Sequence, residues 1–269
     1  MIIQNRIKKR LANINQFAKS KNRTKTKAIH RFRLEVKKLE AYLELLDLQK
    51  NCMLQQEIPD RLVKLYHEAG KGRKFCLELD AVRTMSRDQA FSKPEVFMDW
   101  LLSSKKKTNH KLAKKSRALH NLKVKGLVKY PNTRISHHEW HRFLVNRADC
   151  MLELLALDLL TDLHSIHQLR KLIKSVLYIQ PLIEKPSAVY SFIESRKDFL
   201  KQAESKIGSL HDHAFFLEDL EKMPGWEQSP ECTTLEKIKK GWQENIESLK
   251  EDIQKLFPEV QQFALELKK

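Results

Sequence analysis

Two short segments of the chain place a histidine, an arginine and a lysine at spacings that fit one face of a helix. In AIHRFRLEVKK, residues 28–38, Arg33 lies three residues after His30, and Lys37 lies seven after it. At 100° per residue the three side chains form one stripe, and the apolar residues of the segment lie on the opposite side. Guanidinium and ammonium groups in such a stripe can hold phosphate through charge-assisted hydrogen bonds.

The segment SIHQLRKLIKS repeats the stripe with His167, Arg170 and Lys174. Each of these residues lies 137 positions after its counterpart, and the same shift places Arg10 on Arg147. For one such stripe a solvent-facing row of charges is the usual explanation, because charged residues are mostly exposed. A second copy in the same register favours a shared binding role instead.

Two glycines strengthen the comparison of the two halves. Gly70 lies 40 residues after the first histidine, and Gly208 lies 41 residues after the second. Both are predicted in the middle of a long helix, where glycine costs about 1 kcal/mol relative to alanine. A shared unfavourable feature indicates an internal duplication. We expect a single domain, 1–269, made of one repeat at 1–131 and a second at 132–269.

Helical periodicity dominates the chain, and no alternating strand pattern with hairpin turns is evident. A serine or threonine followed three residues later by glutamate predicts capping boxes at Ser136 and Thr233. Loops are predicted around Pro131 and Pro224. The predicted fold is all-α, with helices near 3–20, 26–49, 57–86, 94–128, 136–160, 162–180, 187–221 and 234–256 and a short helix to 267.

The charge of the chain is large and unevenly distributed. There are 51 Lys and Arg residues against 34 Asp and Glu, a formal net charge of +17. Residues 1–135 hold 33 of the basic and 12 of the acidic residues, so the whole excess lies in the first half. Such an imbalance favours an anionic partner.

Other features of the composition bear on location. No stretch approaches the roughly 20 apolar residues of a membrane span. The charges near the N-terminus follow a very short apolar start, which is the wrong order for a signal peptide. The four cysteines are scattered, as is typical of a reducing compartment. We therefore expect a cytoplasmic protein with no membrane contact.

A lysine-rich region adds candidates in the first half. Between Asp99 and Glu139 there is no acidic residue, while Lys and Arg number eleven. Lys111, Lys114 and Lys115 lie along one broad side of the predicted helix. A solvated face is the simpler explanation. A run without compensating acids repels itself, however, so we favour a bound anion.

The ordered set of motifs resembles the CHAD family, the conserved histidine α-helical domain. The matching segments are IHRFRLEVKKLEAYLELL with EAGKGRKFCLEL, and IHQLRKLIKSVLYIQPLI with KIGSLHDHAFFLEDL. The resemblance spans nearly the whole chain. It implies two roughly four-helix bundles, related by pseudo-two-fold symmetry around a basic cavity that binds inorganic polyphosphate without catalysis.

The glycine-containing segments add residues to this expected cavity and also depart from the family pattern, in which an aspartate usually follows Gly-x-x-Arg. Arg73 keeps the arginine place in the first copy, but Lys74 stands in place of the aspartate. The second copy keeps Asp212 but has His211 in place of the arginine. The first site is therefore expected to be more basic than the family pattern.

The principal phosphate ligands are expected to be the arginine and lysine of each stripe, Arg33, Lys37, Arg170 and Lys174. The further candidate ligands are Lys38, Arg73, Lys171, Arg10, Arg147, Lys111, Lys114, Lys115 and His211. The histidines of the stripes, His30 and His167, are included with two roles open. They are either protonated donors to phosphate or neutral rings that orient a neighbouring helix.

Metal binding and catalysis fit the sequence less well. His137 and His141 share a helix face and lie beside His138, but no cysteine or further ligand is placed near them, so no metal is expected. No Ser–His–Asp or Cys–His arrangement is evident, and no carboxylate pair is repeated in both halves. We therefore expect a protein that is not an enzyme and has no cofactor.

The expected partner is inorganic polyphosphate or another phosphate-rich polyanion, for which sulfate or phosphate ions can substitute in a crystal. Polyphosphate granules are an expected location within the cytoplasm. Two alternatives stay open: a nucleic-acid-binding helical protein, and a scaffold regulated by a bound polyanion. Nucleic acid is the less favoured, because the aromatic residues, 8% of the chain, lie mostly at core-spaced positions rather than among the lysines.

Overall fold

The structure is a computed structural model that describes residues 3–50, 58–88, 92–119, 122–123, 135–157, 159–160, 162–183 and 187–269. Its α-helices are α1 (Ile3–Lys19), α2 (Thr26–Lys50), α3 (Asp60–Asp88), α4 (Glu95–Arg117), α5 (His137–Leu155), α6 (Leu163–Ile179), α7 (Ala188–Ser195), α8 (Lys197–Lys222) and α9 (Cys232–Leu267). No strand occurs within these ranges, so the prediction of an all-α fold is confirmed. In the same ranges, no helix has the length and apolar character needed to cross a membrane.

One of the two predicted capping boxes is present in the structure and the other is not. Ser136 Oγ accepts a hydrogen bond from Glu139 N at 3.3 Å, and Glu139 Oε2 accepts one from Ser136 N at 2.6 Å, which confirms the box before α5. The box predicted at Thr233 is wrong, because α9 begins at Cys232, two residues before the expected start, and its N-cap, Glu231, makes no side-chain cap. The Glu231 carboxylate instead accepts a hydrogen bond from Val96 N at 3.1 Å and so caps α4.

Two predicted helix boundaries in the second half are wrong. The helix expected at 187–221 is divided at Arg196, which ends α7 and whose guanidinium lies near acidic side chains of α9. The break expected near residue 256 is absent, because α9 continues through Pro258. Burial of Val260 and Phe263 in the core offsets the lost backbone hydrogen bond.

The helix expected at 94–128 ends earlier, at Arg117. Beyond it the backbone is anchored from α1, since Leu122 N donates to Asn15 Oδ1 at 2.9 Å and Asn15 Nδ2 donates to Leu122 O at 3.4 Å. Residues 118–119 and 122–123 are not helical, while residues 120–121 and 124–134, which include the loop at Pro131 and the repeat boundary expected between residues 131 and 132, lie outside the described residues.

The helices pack in two closed rings. In the first half, α1 packs on α2, α2 on α3, α3 on α4, and α4 returns to α1. In the second half the same order holds for α5, α6, α8 and α9, while α7 packs on α8. Contacts of α2 with α5 and α6, and of α3 with α8, join the two rings. A pseudo-two-fold relation between them stays a prediction.

Two apolar clusters hold this arrangement together. The larger one draws on both rings and includes Ile7, Phe32 and Leu169. The smaller one is formed by the C-terminal parts of α3 and α8 and the N-terminal parts of α4 and α9, around Phe97 and Trp242. Helix α2 contacts α3 and α6, and α8 contacts the same two helices. These four helices therefore surround one region of the molecule.

Candidate functional site

The four side chains expected to be the principal phosphate ligands come together where α2 packs on α6. Arg33 and Lys37 lie one turn apart on α2, as do Arg170 and Lys174 on α6. Lys37 is half-buried, and its pKa is lowered to about 7, first by burial and then by the positive charges of Lys174, Arg33 and Arg170.

A fifth cation joins from α3. Arg73 contributes to lowering the pKa of Lys174, after burial and Arg170. We name the set Arg33, Lys37, Arg73, Arg170 and Lys174 the clamp cluster. All five side chains are partly exposed, so solvent and ions reach them.

The arginine on α2 is fixed against α3. Arg33 Nη1 donates to the backbone oxygen of Tyr66 at 3.0 Å, and the guanidinium carbon lies 4.3 Å from the centre of the Tyr66 ring. A Cβ added at Gly70, one turn further along α3, would lie 2.6 Å from Arg33 Nη1. The glycine therefore leaves the room that the guanidinium occupies.

The arginine on α6 is fixed against α8 in the same way. Arg170 Nε donates to the backbone oxygen of Glu204 at 3.2 Å and to its Oε1 at 2.8 Å. A Cβ added at Gly208 would lie 2.7 Å from Arg170 Cζ. Tyr66 and Glu204 each lie four residues before the glycine of their own helix, so the two arginines make equivalent contacts.

Arg170 has a carboxylate partner on α8, whereas no ion pair of Arg33 is found within the described ranges. Glu204 Oε1 lies 2.7 Å from Arg170 Nη2 and 2.5 Å from Lys174 Nζ. Burial opposes ionisation of Glu204, but the hydrogen bonds and charges of Lys174 and Arg170 lower its pKa overall. The carboxylate is therefore ionised and partly neutralises the α6 side of the clamp cluster.

The two motif histidines each contact the residue that lies three positions after the glycine of the neighbouring helix. His30 is exposed, and its Nδ1 contacts Arg73 Nη1. His167 stacks on His211, with ring centres 4.6 Å apart and planes at 21°. Burial, His211 and Lys171 lower the pKa of His167 to about 3, so without a ligand this ring is neutral at pH 7.

Arg10 and Arg147 do not join the clamp cluster. Arg10 Nη1 lies 2.8 and 2.9 Å from the two carboxylate oxygens of Glu35, and Arg147 Nη2 lies 2.5 Å from Glu44 Oε1. Both arginines are buried. Lys38 lies on the side of α2 that faces Arg10, since its pKa is lowered by burial and then by Arg10. We therefore withdraw these three residues from the site.

The lysine-rich part of α4 is also separate from the clamp cluster. Lys115 Nζ pairs with Glu68 Oε2 at 2.5 Å, which joins α4 to α3. Lys111 and Lys114 are exposed, and neither makes an ion pair within the described part of the chain. Lys171 is exposed too, but it lies near enough to the cluster to act on the pKa of Glu40 and His167.

Several side chains at the site were missed from the sequence. Glu204 and Tyr66 could have been found from their shared place four residues before the glycines. Glu40, one turn after Lys37, has its pKa raised by burial although Lys37 and Lys171 oppose the shift. Tyr178 on α6 carries no comparable sequence signal.

A carboxyl pair lies further along α3 and α8. Lys74 Nζ is 2.6 Å from Asp219 Oδ1, and this ion pair joins the two helices. Glu78 is fully buried, and burial followed by the charge of Asp219 raises its pKa to about 9. Glu78 is therefore protonated at neutral pH. Across the described ranges, no three His, Cys, Asp or Glu residues are grouped so that they could hold a metal ion.

A scan against protein-family models, a search of curated proteins and a search of solved structures each give no match. Function is therefore inferred from the geometry and charge of the site.

Proposed function

We propose that the chain binds inorganic polyphosphate at the clamp cluster. The observation that carries the proposal is the position of the Lys37 amine, partly buried among other positive charges. This amine lies among Lys174, Arg33 and Arg170, and within the described residues it makes no ion pair of its own. Bringing like charges together in a partly buried place is unfavourable unless an anion offsets them.

The balance of charge around Lys37 favours a polyanion over a single phosphate. Five cations from three helices stand against the carboxylates of Glu204 and Glu40, and Lys171 adds a further charge at the exposed side. A chain that carries charge on every unit can contact cations on α2, α3 and α6 at once. Its affinity is expected to fall steeply with salt, as for other polyanions.

The aromatic residues at the site favour polyphosphate over nucleic acid. Binding of single strands draws on exposed rings on which bases stack. The face of Tyr66 is covered by the Arg33 guanidinium, and Tyr178 is partly buried. The site thus offers charge and hydrogen-bond donors but little stacking surface.

We further propose that the chain is internally duplicated and CHAD-like, with one repeat at 1–131 and the other at 132–269. The equivalent contacts of Arg33 and Arg170 support this proposal. So do the closed ring of helices in each half and the pairing of each motif histidine with the residue at the Gly-x-x-Arg place. Binding without turnover, in the cytoplasm and at polyphosphate granules, is part of the same proposal.

Competition tests the proposed function directly. Immobilised protein is offered labelled long-chain polyphosphate at physiological salt, with unlabelled polyphosphate, single-stranded DNA or duplex DNA as competitor. We expect only polyphosphate to displace the label at stoichiometric concentration. Displacement by nucleic acid at equal phosphate concentration would overturn the proposal.

A pair of matched variants locates the binding site. The double variant Arg33→Ala with Arg170→Ala removes two charges from the clamp cluster. The control, Lys111→Ala with Lys114→Ala, removes two charges from exposed positions on α4. We expect the first to lose at least about a hundredfold in affinity, since charge-assisted hydrogen bonds are worth roughly 1.5–3 kcal/mol each, and the control to lose far less. Equal losses would indicate unspecific attraction to the net charge.

A further inference from the structure

A set of exposed lysines lies beside the contact between α3 and α4. The ion pair of Lys115 Nζ with Glu68 Oε2, at 2.5 Å, fixes where the two helices meet. One turn further along α3, a Cβ added at Gly72 would lie 3.7 Å from Thr108 Cγ2, earlier in α4. The two helices therefore run antiparallel, and the ion pair marks one point of their contact.

Lysines surround this ion pair on both helices. On α3, two exposed lysines lie one turn to either side of Glu68. On α4, one exposed lysine lies one turn before Lys115, and two more lie one turn to either side of that lysine. Residues three or four apart share a helix face, so the five side chains lie on one surface beside the ion pair. We name this set the lysine face: Lys64, Lys71, Lys107, Lys111 and Lys114.

The charge of the lysine face is not balanced by acidic residues. Glu68 is the one acid in the sequence between Asp60 and Glu78, and it is buried and paired with Lys115. The sequence of α4 has no acid after Asp99. Within the described part of the chain, none of the five lysines makes an ion pair. Because like charges one turn apart repel each other, an anion from outside would stabilise this surface.

The lysines form two rows, one on each helix, and this arrangement bears on the shape of the anion. Packed helices lie about 8–10 Å apart. Each row extends about 10 Å along its helix, since a helix rises about 1.5 Å per residue. The grooves of a nucleic-acid duplex are about 6–12 Å wide, so phosphates of its two strands can meet the two rows together. A single thin chain follows one row at a time.

The residue type and the exposure of the lysine face also favour a duplex. Lysine places a compact charge on a flexible stem and so adapts to phosphates at variable positions. Five lysines offer neither guanidinium forks that read base edges nor rings on which bases stack. The members of the clamp cluster are only partly exposed between packed helices, whereas those of the lysine face are exposed to a wide, stiff polymer.

We propose that the lysine face binds the sugar-phosphate backbone of duplex nucleic acid, independently of base sequence. A duplex carries about one charge per 1.7 Å of its axis and releases counterions where lysines approach, a gain that a less densely charged acidic protein does not give. The inference goes beyond the proposed function and does not depend on it, because the two sites share no residue. A duplex on the lysine face leaves polyphosphate on the clamp cluster in place.

Fluorescence anisotropy of a short labelled duplex DNA with the full chain tests the proposal at salt from about 50 to 200 mM. We expect the logarithm of the association constant to fall with the logarithm of salt concentration with a slope of about −4.5, for five phosphate contacts. Lys107→Gln with Lys111→Gln should change the slope to about −2.7 and lower affinity about sixtyfold at about 0.1 M salt. Lys64→Gln with Lys71→Gln should do the same. Loss from only one pair would refute contact by both rows, and no loss from either would overturn the proposal.

A matched control removes two exposed lysines from α9, Lys237→Gln with Lys240→Gln. We expect its slope to stay within about 0.5 of the parent's. An equal loss in this control would show attraction to the net charge alone and overturn the proposal. Two further outcomes would also overturn it. One is a greater loss in Arg33→Ala with Arg170→Ala than in the α4 pair, which would place the duplex at the clamp cluster. The other is displacement of the duplex by poly-glutamate at equal charge concentration.

Discussion

The guanidinium of Arg170 lies directly against the backbone of Gly208, so close that a Cβ at that position would be 2.7 Å from Arg170 Cζ. Arg33 has the same relation to Gly70, where the added Cβ would be 2.6 Å from Arg33 Nη1. In each case the atom that would be displaced is the end of a flexible side chain. The glycines therefore serve the position of the arginines more than the packing of the helices.

Replacing these glycines should separate binding from stability. We expect Gly70→Ala and Gly208→Ala each to lower polyphosphate affinity about tenfold, because the arginine leaves its position. Thermal unfolding should show equal or higher stability, since alanine favours the helix by about 1 kcal/mol. The control is Gly72→Ala on α3, whose Cβ would lie 3.5 Å from Ile29 Cδ1, an ordinary contact. An affinity loss in the control equal to that of the other variants would contradict this explanation.

Removing the carboxylate of the site should strengthen anion binding. Glu204→Gln frees Arg170 and Lys174 from their shared ion pair, so we expect polyphosphate affinity to rise at least about threefold. The cluster then repels itself more strongly, and the free energy of unfolding should fall. Calorimetry and thermal denaturation measure the two effects. Asp252→Asn, which removes the ion-pair partner of Lys206, is the control with the same change in charge. An unchanged or lower affinity in Glu204→Gln would mean that Glu204 does not compete with the ligand.

Binding should depend on pH through Lys37. Its pKa is lowered to about 7 without ligand, and a bound polyanion favours the charged amine and raises that pKa. Below pH 7 the amine is already protonated and affinity is highest. Above pH 7 binding must take up a proton, so affinity falls by up to about tenfold per pH unit. Calorimetry in buffers of different ionisation enthalpy counts the protons, and Lys37→Arg should remove the uptake. Equal proton uptake in that variant would assign it to another group.

The buried carboxyl of Glu78 should make stability depend on pH in the opposite sense to a carboxylate whose pKa is lowered by an ion pair in the folded state. Its folded-state pKa, about 9, lies above the ordinary value of 4.5, so the folded protein binds a proton that the unfolded chain has released. Stability is therefore full below pH 4.5 and declines as pH rises towards 9. Glu78→Gln should lose this decline in urea unfolding measured from pH 5 to 9. Asp80→Asn, at an exposed site on α3, should keep it. A decline that survives in Glu78→Gln would exclude this group as its source.

Breaking the ion pair of Arg10 should affect folding and leave binding intact. Arg10→Met strands the buried Glu35 carboxylate, and we expect a loss of about 3–5 kcal/mol in the free energy of unfolding. Replacing Glu35 by Met as well should restore most of the loss. The folded double variant should bind polyphosphate as the parent does. A large drop in its affinity would return Arg10 to the site.

Local spacing in the sequence was sufficient for the all-α fold, for most helix positions and for the pairs Arg33–Lys37 and Arg170–Lys174. Residues three, four and seven apart share a helix face whatever the helix packs against, so the stripes could be read directly. The glycines could also be noticed, because glycine within a helix is unfavourable without a reason from elsewhere.

Only the tertiary structure decided which cations remain available for a ligand. Arg10 and Arg147 match each other in sequence as well as Arg33 and Arg170 do, yet they are buried against Glu35 and Glu44. Those partners lie on another helix, and no local pattern connects them. The pKa of Lys37 depends in the same way on α6 and α8, because burial and the charges of residues distant in sequence lower it. The sequence by itself determined where the positive charges point from each helix, and the packing of the helices decided which of them meet.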